Sequence, residues 1–215
     1  MKRFWTSDSH FLHGKIMKYC NRPFASAEEM ESEKFKPESI KAMNEELIRQ
    51  WNAVVSDEDE VYHLGDVSMG TPSRTLEILY RLNGKIHLIK GNHEAAVLRK
   101  QSTRDRFTSI QDVLTIRCED EDVKGGYQDI FMSHYAHRVW EKSHHGRWHL
   151  YGHSHSGLEG LAWGKSMDAG VDAHALHFGN YAPFSYEEIK GILSKRDIKT
   201  IDHHQERGGK LVTNK

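Results

Sequence analysis

Five short apolar runs in this chain each stop at residue types that can ligate metal ions, and this recurrence constrains the fold more than any other feature. Phe4-Trp5-Thr6 leads to Asp8-Ser9-His10, Val61-Tyr62-His63-Leu64 to Gly65-Asp66, and Ile86-His87-Leu88-Ile89 to Gly91-Asn92-His93-Glu94. Ile130-Phe131-Met132 leads to Ser133-His134, and Trp148-His149-Leu150-Tyr151 to Gly152-His153-Ser154-His155. Such runs, several rich in aromatic or β-branched residues, read as buried strands. Val113-Leu114-Thr115-Ile116 reads the same way.

Helical periods lie between the strands. Pro37 opens one helix whose apolar face is Ile40, Met43, Leu47, Ile48 and Trp51. Thr71-Pro72 caps and begins another, with Leu76, Leu79 and Leu82 inward and Asn83-Gly84 closing it. Ser185 and Glu188 form a capping box ahead of Ile189, Ile192 and Leu193. Strands alternating with helices predict an α/β fold. In open α/β sheets, ligands sit beyond the carboxyl ends of the strands. The five strand ends would therefore aim Asp, Asn and His side chains into one crevice. Residues 1–200 read as one domain. Residues 201–215 read as a loose tail, with a short edge strand at Leu211-Val212 as the alternative.

Composition narrows the class. The 215 residues are 37% hydrophobic and 28% charged, and no apolar run approaches a membrane span. An early carboxylate, Asp8, leaves no room for a signal peptide's apolar stretch. With Cys20 and Cys118 as the whole cysteine complement, free thiols in a reducing cytoplasm are expected. A net charge of −1 lacks the footprint of a dedicated duplex-DNA binder. Histidine, at 16 residues, is in excess of any packing need. It is the commonest metal ligand and acid–base residue.

The strand-end donors are oxygen and nitrogen without thiolate, which suits manganese, iron, zinc or nickel. Asp8-x-His10 and His153-x-His155 place alternate side chains on one side of an extended segment. Each pair can therefore reach one site. Gly65, Gly91 and Gly152 allow sharp turns and close approach to an ion.

The ordered set resembles the calcineurin-like metallophosphoesterase superfamily over roughly residues 3 to 195, especially its small single-domain bacterial and phage members. Tyr19-Cys20-Asn21-Arg22-Pro23-Phe24, Tyr62-His63-Leu64-Gly65-Asp66 and Trp148-His149-Leu150-Tyr151-Gly152-His153 carry the closer likeness. The resemblance implies a four-layer α/β/β/α sandwich of two mixed sheets flanked by helices. It also implies two divalent ions, manganese foremost, with iron, zinc or nickel as alternatives. Asp8, His10 and His155 would hold the first and Asn92, His134 and His153 the second, with Asp66 bridging. Water activated between ions about 3.5–4 Å apart would attack phosphorus. His93, with Glu94 as a partner to orient it, would protonate the leaving oxygen.

Two departures count against a protein phosphatase. The segment after Gly65-Asp66 is Val67-Ser68-Met69-Gly70, without an arginine, and Phe11 follows His10 where those relatives carry glycine. Ala136 stands where relatives often have proline. The substrate implied is a small or nucleotide-like phosphate mono- or diester. A nuclease acting on polynucleotide diesters is the nearest alternative, and a non-catalytic scaffold the more distant one.

Several residues have two readings. His13 either contacts substrate phosphate or packs; Arg22 either grips phosphate or makes a structural ion pair. The segment from His137 to Trp148 either stacks on nucleotides or is a solvated loop. His63 and His87 read as core histidines within strands. His174, His177, Trp163, Asp168 and Asp172 carry no assignment.

Overall fold

The computed structural model describes residues 1–199 and Ile201. Apart from Ile201, the expected tail, with its alternative strand at Leu211-Val212, lies outside the described residues. The strands are β1 (Arg3–Thr6), β2 (Glu60–His63), β3 (Lys85–Ile89), β4 (Phe107–Gln111), β5 (Val113–Glu119), β6 (Tyr127–Ser133), β7 (Trp148–Tyr151), β8 (Ser166–Asp168) and β9 (Phe184–Ser185). The helices are α1 (Ile16–Tyr19), α2 (Ala27–Ser32), α3 (Pro37–Val54), α4 (Pro72–Leu79), α5 (Glu94–Val97), α6 (Gln101–Arg104), α7 (Val171–Phe178) and α8 (Tyr186–Leu193).

Two mixed sheets form, in the orders β4-β3-β2-β1-β9 and β5-β6-β7-β8. The first is parallel from β1 to β4, with β9 antiparallel at its edge. The second pairs β5 antiparallel to β6, while β6, β7 and β8 run parallel.

Side chains alternate across a strand, so the first sheet feeds two cores. Phe4, Val61, Ile86 and Leu88 pack with Met43, Leu47, Ile48 and Trp51 of α3. Trp5, Tyr62 and Ile89 turn the other way and meet Ile130, Met132, Trp148 and Leu150 between the sheets. Each such side chain contributes roughly 1.5–3 kcal/mol on burial, so α3 is held by its face rather than by propensity.

The capping signals act as read: Thr71 Oγ1 accepts from the Arg74 amide, and Ser185 and Glu188 form a reciprocal box. Two expectations change. Leu76 is only half-buried, and Thr75 and Ile78 take the inward face with Leu79. The run at Val113 is longer than expected and lies on an exposed sheet edge rather than in the core.

The outer face of the second sheet carries Phe131 and His149, whose rings lie against His137 and, for His149, Trp140. His149 donates from Nδ1 to the Phe131 carbonyl and accepts the His137 amide at Nε2. Trp140 is buried and Arg147 is paired with Glu141 and Asp129. Trp140 and Arg147 are thus packed cover for the sheet, while His137, Arg138, Lys142 and His145 stay exposed as in a solvated loop. Among the described residues no helix is long and apolar enough to cross a membrane.

Candidate active site

The parallel strands β1, β2 and β3 end side by side in one sheet, and β6 and β7 end side by side in the other. Backbone bonds then lace their loops together. The Asp8 amide donates to the Gly65 carbonyl (2.9 Å) and the His10 amide to the Asp66 carbonyl (3.0 Å). The sheets are joined where the His153 amide donates to Asp8 Oδ2 (2.9 Å). Gly65 sits at φ +100°, and a Cβ there would lie 2.7 Å from His134 Nδ1. A side chain at Gly152 would collide with Ser7 Oγ and Asp8 Oδ2.

Two groups of donors converge. Asp8, His10 and His155 offer ligand atoms within 4.8 Å of one another, and so do Asp66, His134 and His153. Asp66 Oδ2 faces both groups, 3.5 Å from His10 Nε2 and 3.6 Å from His134 Nε2. Asn92 Oδ1 lies 3.0 Å from His134 Nε2.

The donor chemistry can serve cations. His134 has its Nδ1 2.7 Å from the Leu64 carbonyl, which makes Nδ1 a donor and turns Nε2 towards the Asn92 oxygen. A neutral ring held this way presents Nε2 beside that oxygen as a ligand pair. Asp8 Oδ1 and His10 Nε2 are buried without a hydrogen-bond partner. Burial, and then Asp168, push Asp8 well above the usual carboxylate range. Burial, followed by the nearby His155 and Arg22, presses His10 down to about 2, so its ring is neutral and can ligate. Burial opposes the charged form of His155, yet hydrogen bonding to Asp172 and Cys20 and the Asp8 charge outweigh it and hold His155 up to about 10. His155 must give up this proton before its ring can ligate a metal ion.

The backbone is unusual at the same residues. Asp8, His10, Asp66, His153 and His155 all lie at φ between 45° and 66°. Residues held in this left-handed region cost of order 1–3 kcal/mol each and cluster at functional sites. Asp and His are among the residue types that tolerate it best, which the sequence pattern alone does not reveal.

His93 stands at the mouth of the cluster, its side chain 41% exposed and its Nε2 3.9 Å from Asp66 Oδ2. Glu94 does not orient it. Its buried carboxylate instead takes the Val67 amide (2.9 Å) and the Gly91 amide (2.5 Å). His13 is half-buried, with its ring 5.4 Å from that of His10.

Of the two readings of Arg22, the structural ion pair is the one found, and the grip on substrate phosphate is corrected. Arg22 is fully buried, and its N–H groups go to Asp172 (2.8 and 2.9 Å), the Asp8 carbonyl (2.8 Å), the Ser9 carbonyl (2.9 Å) and Met43 Sδ (3.8 Å). A guanidinium has five N–H donors, so none is left for a ligand.

Four residues at the site were given no role there by the sequence reading. Asp172 accepts from His155 Nδ1 at 2.7 Å. Cys20 lies within 4.8 Å of both His155 and Asp172, so a thiol borders the oxygen and nitrogen donors. Tyr135 is exposed, donates to Asn92 Oδ1 (3.3 Å) and sets its ring 4.7 Å from His153. Its place beside His134 was the available signal. Asp168, also unassigned, holds Ser154 Oγ and the Ser156 amide in the loop that carries His155.

A family model described as calcineurin-like phosphoesterase matches residues 1–203. This chain belongs to that family. Its members are metal-dependent hydrolases of phosphoester bonds, in keeping with the donor groups found here. Over 95 residues the chain is 44% identical to an uncharacterized protein of Methanocaldococcus jannaschii, a stretch covering 43% of this chain and 47% of that protein. It therefore spans about half the length of that relative. It is 25% identical over 177 residues to the Gene 66 protein of Mycobacterium phage L5, covering 73% of this chain and 79% of the phage protein. The solved structure of a protein of unknown function from Aquifex aeolicus aligns over 88% of this chain and 98% of its own, with TM-score 0.57 and 22% identity. That last likeness speaks for the fold alone.

Proposed function

We propose that this calcineurin-like phosphoesterase hydrolyses a phosphate mono- or diester of a small or nucleotide-like molecule at a centre of two divalent ions. One observation carries the reading: a single carboxylate oxygen, Asp66 Oδ2, faces both donor groups, at 3.5 Å from His10 Nε2 and 3.6 Å from His134 Nε2. Asp8, His10 and His155 would hold one ion, Asn92, His134 and His153 the other, and Asp66 both. Manganese heads the candidate ions, ahead of iron, zinc and nickel. When bound, such ions neutralise charge on the phosphoryl group and lower the pKa of water towards neutrality.

The remaining work falls to the chain. Asp172 and the Leu64 carbonyl turn His155 and His134 so that Nε2 of each points inward. His93, exposed at the mouth, is the group in reach of a leaving oxygen and can give it a proton. His13, beside His10, is the remaining candidate for a contact to the phosphate.

The test is elemental analysis of metal-saturated protein together with turnover of phosphomonoesters, cyclic nucleotides, dinucleotides and single-stranded oligonucleotides. Two ions per chain and metal-dependent hydrolysis of small esters are expected. A stoichiometry of one sinks the two-ion reading, and turnover of oligonucleotides alone would favour a nuclease.

A further inference from the structure

We propose that the buried Arg22–Asp172 ion pair is a positioning element for one half of the centre only, the half formed by Asp8, His10 and His155. The proposal rests on the two-ion reading above.

The pair reaches both loops that supply this half. On one side, Arg22 Nη1 and Nη2 hold the carbonyls of Ser9 and Asp8 at 2.9 and 2.8 Å. Those carbonyls belong to the turn in which Asp8 takes φ +54°, and fixing them fixes where the Asp8 carboxylate goes. On the other side, Asp172 Oδ2 is shared between Arg22 Nη2 (2.9 Å) and His155 Nδ1 (2.7 Å). This sets a proton of His155 on Nδ1 and turns Nε2 towards Asp8 Oδ1, 3.9 Å away. The planar fork is essential, because a lysine ammonium cannot serve a carboxylate at two points and two carbonyls at once.

Stability is a poor reason for the pair to be there. Buried ion pairs are often replaceable by apolar residues without loss. The other half has separate supports, the Leu64 carbonyl behind His134 and the Glu94 carboxylate behind Gly91 and Val67. No hydrogen bond joins Arg22 or Asp172 to Asn92, His134 or His153 among the described residues.

The experiment is titration of the metal-free full chain with Mn²⁺ by calorimetry, with electron paramagnetic resonance reporting coupling between the two ions. Arg22→Lys and Asp172→Asn are compared with His155→Ala and His134→Ala, which mark loss of one half each. In Asp172→Asn the amide must turn its NH₂ towards either Arg22 or His155, so one of them faces a donor. Outer partners of metal ligands typically contribute about 10–100-fold in affinity. One of the two ions should weaken by that factor in both variants, its loss should reproduce the spectrum of His155→Ala, and the other ion should bind as in wild type. If Arg22→Lys does not fold, Asp172→Asn, nearly isosteric, carries the test. Equal weakening of both ions, or two ions bound with unchanged affinity, overturns the proposal while leaving the two-ion reading intact. A wild-type chain that takes up one ion overturns both.

Discussion

The two halves of the proposed centre each pair two histidines with one oxygen donor, a carboxylate in Asp8 and an amide in Asn92, but in different surroundings. Asp8 and His10 are buried, and Asp8 and the partly exposed His155 lean on a buried ion pair. Asn92 and His153 are instead exposed and hang on a rim tyrosine and the Asp8 carboxylate, with buried His134 set by the Leu64 carbonyl. The buried half has its geometry imposed from behind by charge. The open half has its geometry imposed by strand ends and is the side that solvent reaches. Affinity and exchange should therefore divide between them.

Chelation gives the largest effect and tests this division directly. Activity on an aryl phosphate ester should be abolished, and stopped-flow release of Mn²⁺ into excess chelator should show two phases, the ion at Asn92, His134 and His153 leaving first. A single phase would erase the distinction between halves. Asp66→Asn comes next, since Asp66 Oδ2 belongs to both halves. Turnover should fall by more than the roughly 10–100-fold typical of an outer partner, with circular dichroism unchanged. Full activity at normal metal content would mean that neither half depends on it.

His93 belongs to neither half, and its substitution sharpens the comparison. His93→Asn should keep both ions. It should slow an alkyl or ribose ester by about 10²–10⁴-fold, and a p-nitrophenyl ester far less, because that leaving group departs unaided. Equal losses on the two esters would remove His93 from the acid role. The smallest effect is expected from Glu94→Gln, which puts an amide donor against the Gly91 or Val67 amide. A buried group left unsatisfied costs about 1–3 kcal/mol, readable as a shift in the urea midpoint. Any loss of metal affinity should fall on the open half, and a loss at the buried half would contradict the division.

The same contrast separates what could be read in the sequence from what could not. The donors were legible because each follows an apolar run at once, so local order along the chain carries both the strand and its cargo. Phe4-Trp5-Thr6 before Asp8 is the plainest case, and the Ser185–Glu188 box is another local signal. The supports were not legible, because they form between distant segments. Arg22 and Asp172 are 150 residues apart, and nothing local to either announces the other. An arginine next to a ligand loop suggested either a hand on the substrate or a structural ion pair, without its partner, and folding turned it inward to carbonyls and the Asp172 carboxylate. The 137–148 segment misled for a related reason. Its aromatics and cations are those of a stacking surface, but Trp140 and Arg147 are consumed by the sheet beneath them. Strand β8 and strand β9, of three and two residues, are too short for any periodicity to register.

The left-handed backbone at Asp8, His10, Asp66, His153 and His155 has a consequence for how such a site persists in evolution. At each of these positions glycine would relax the chain, since it alone adopts that conformation without penalty. Substitutions that raise the stability of the metal-free protein should therefore include ones at the residues proposed to hold metal. Selection for robustness alone would erase the centre one ligand at a time while keeping the fold.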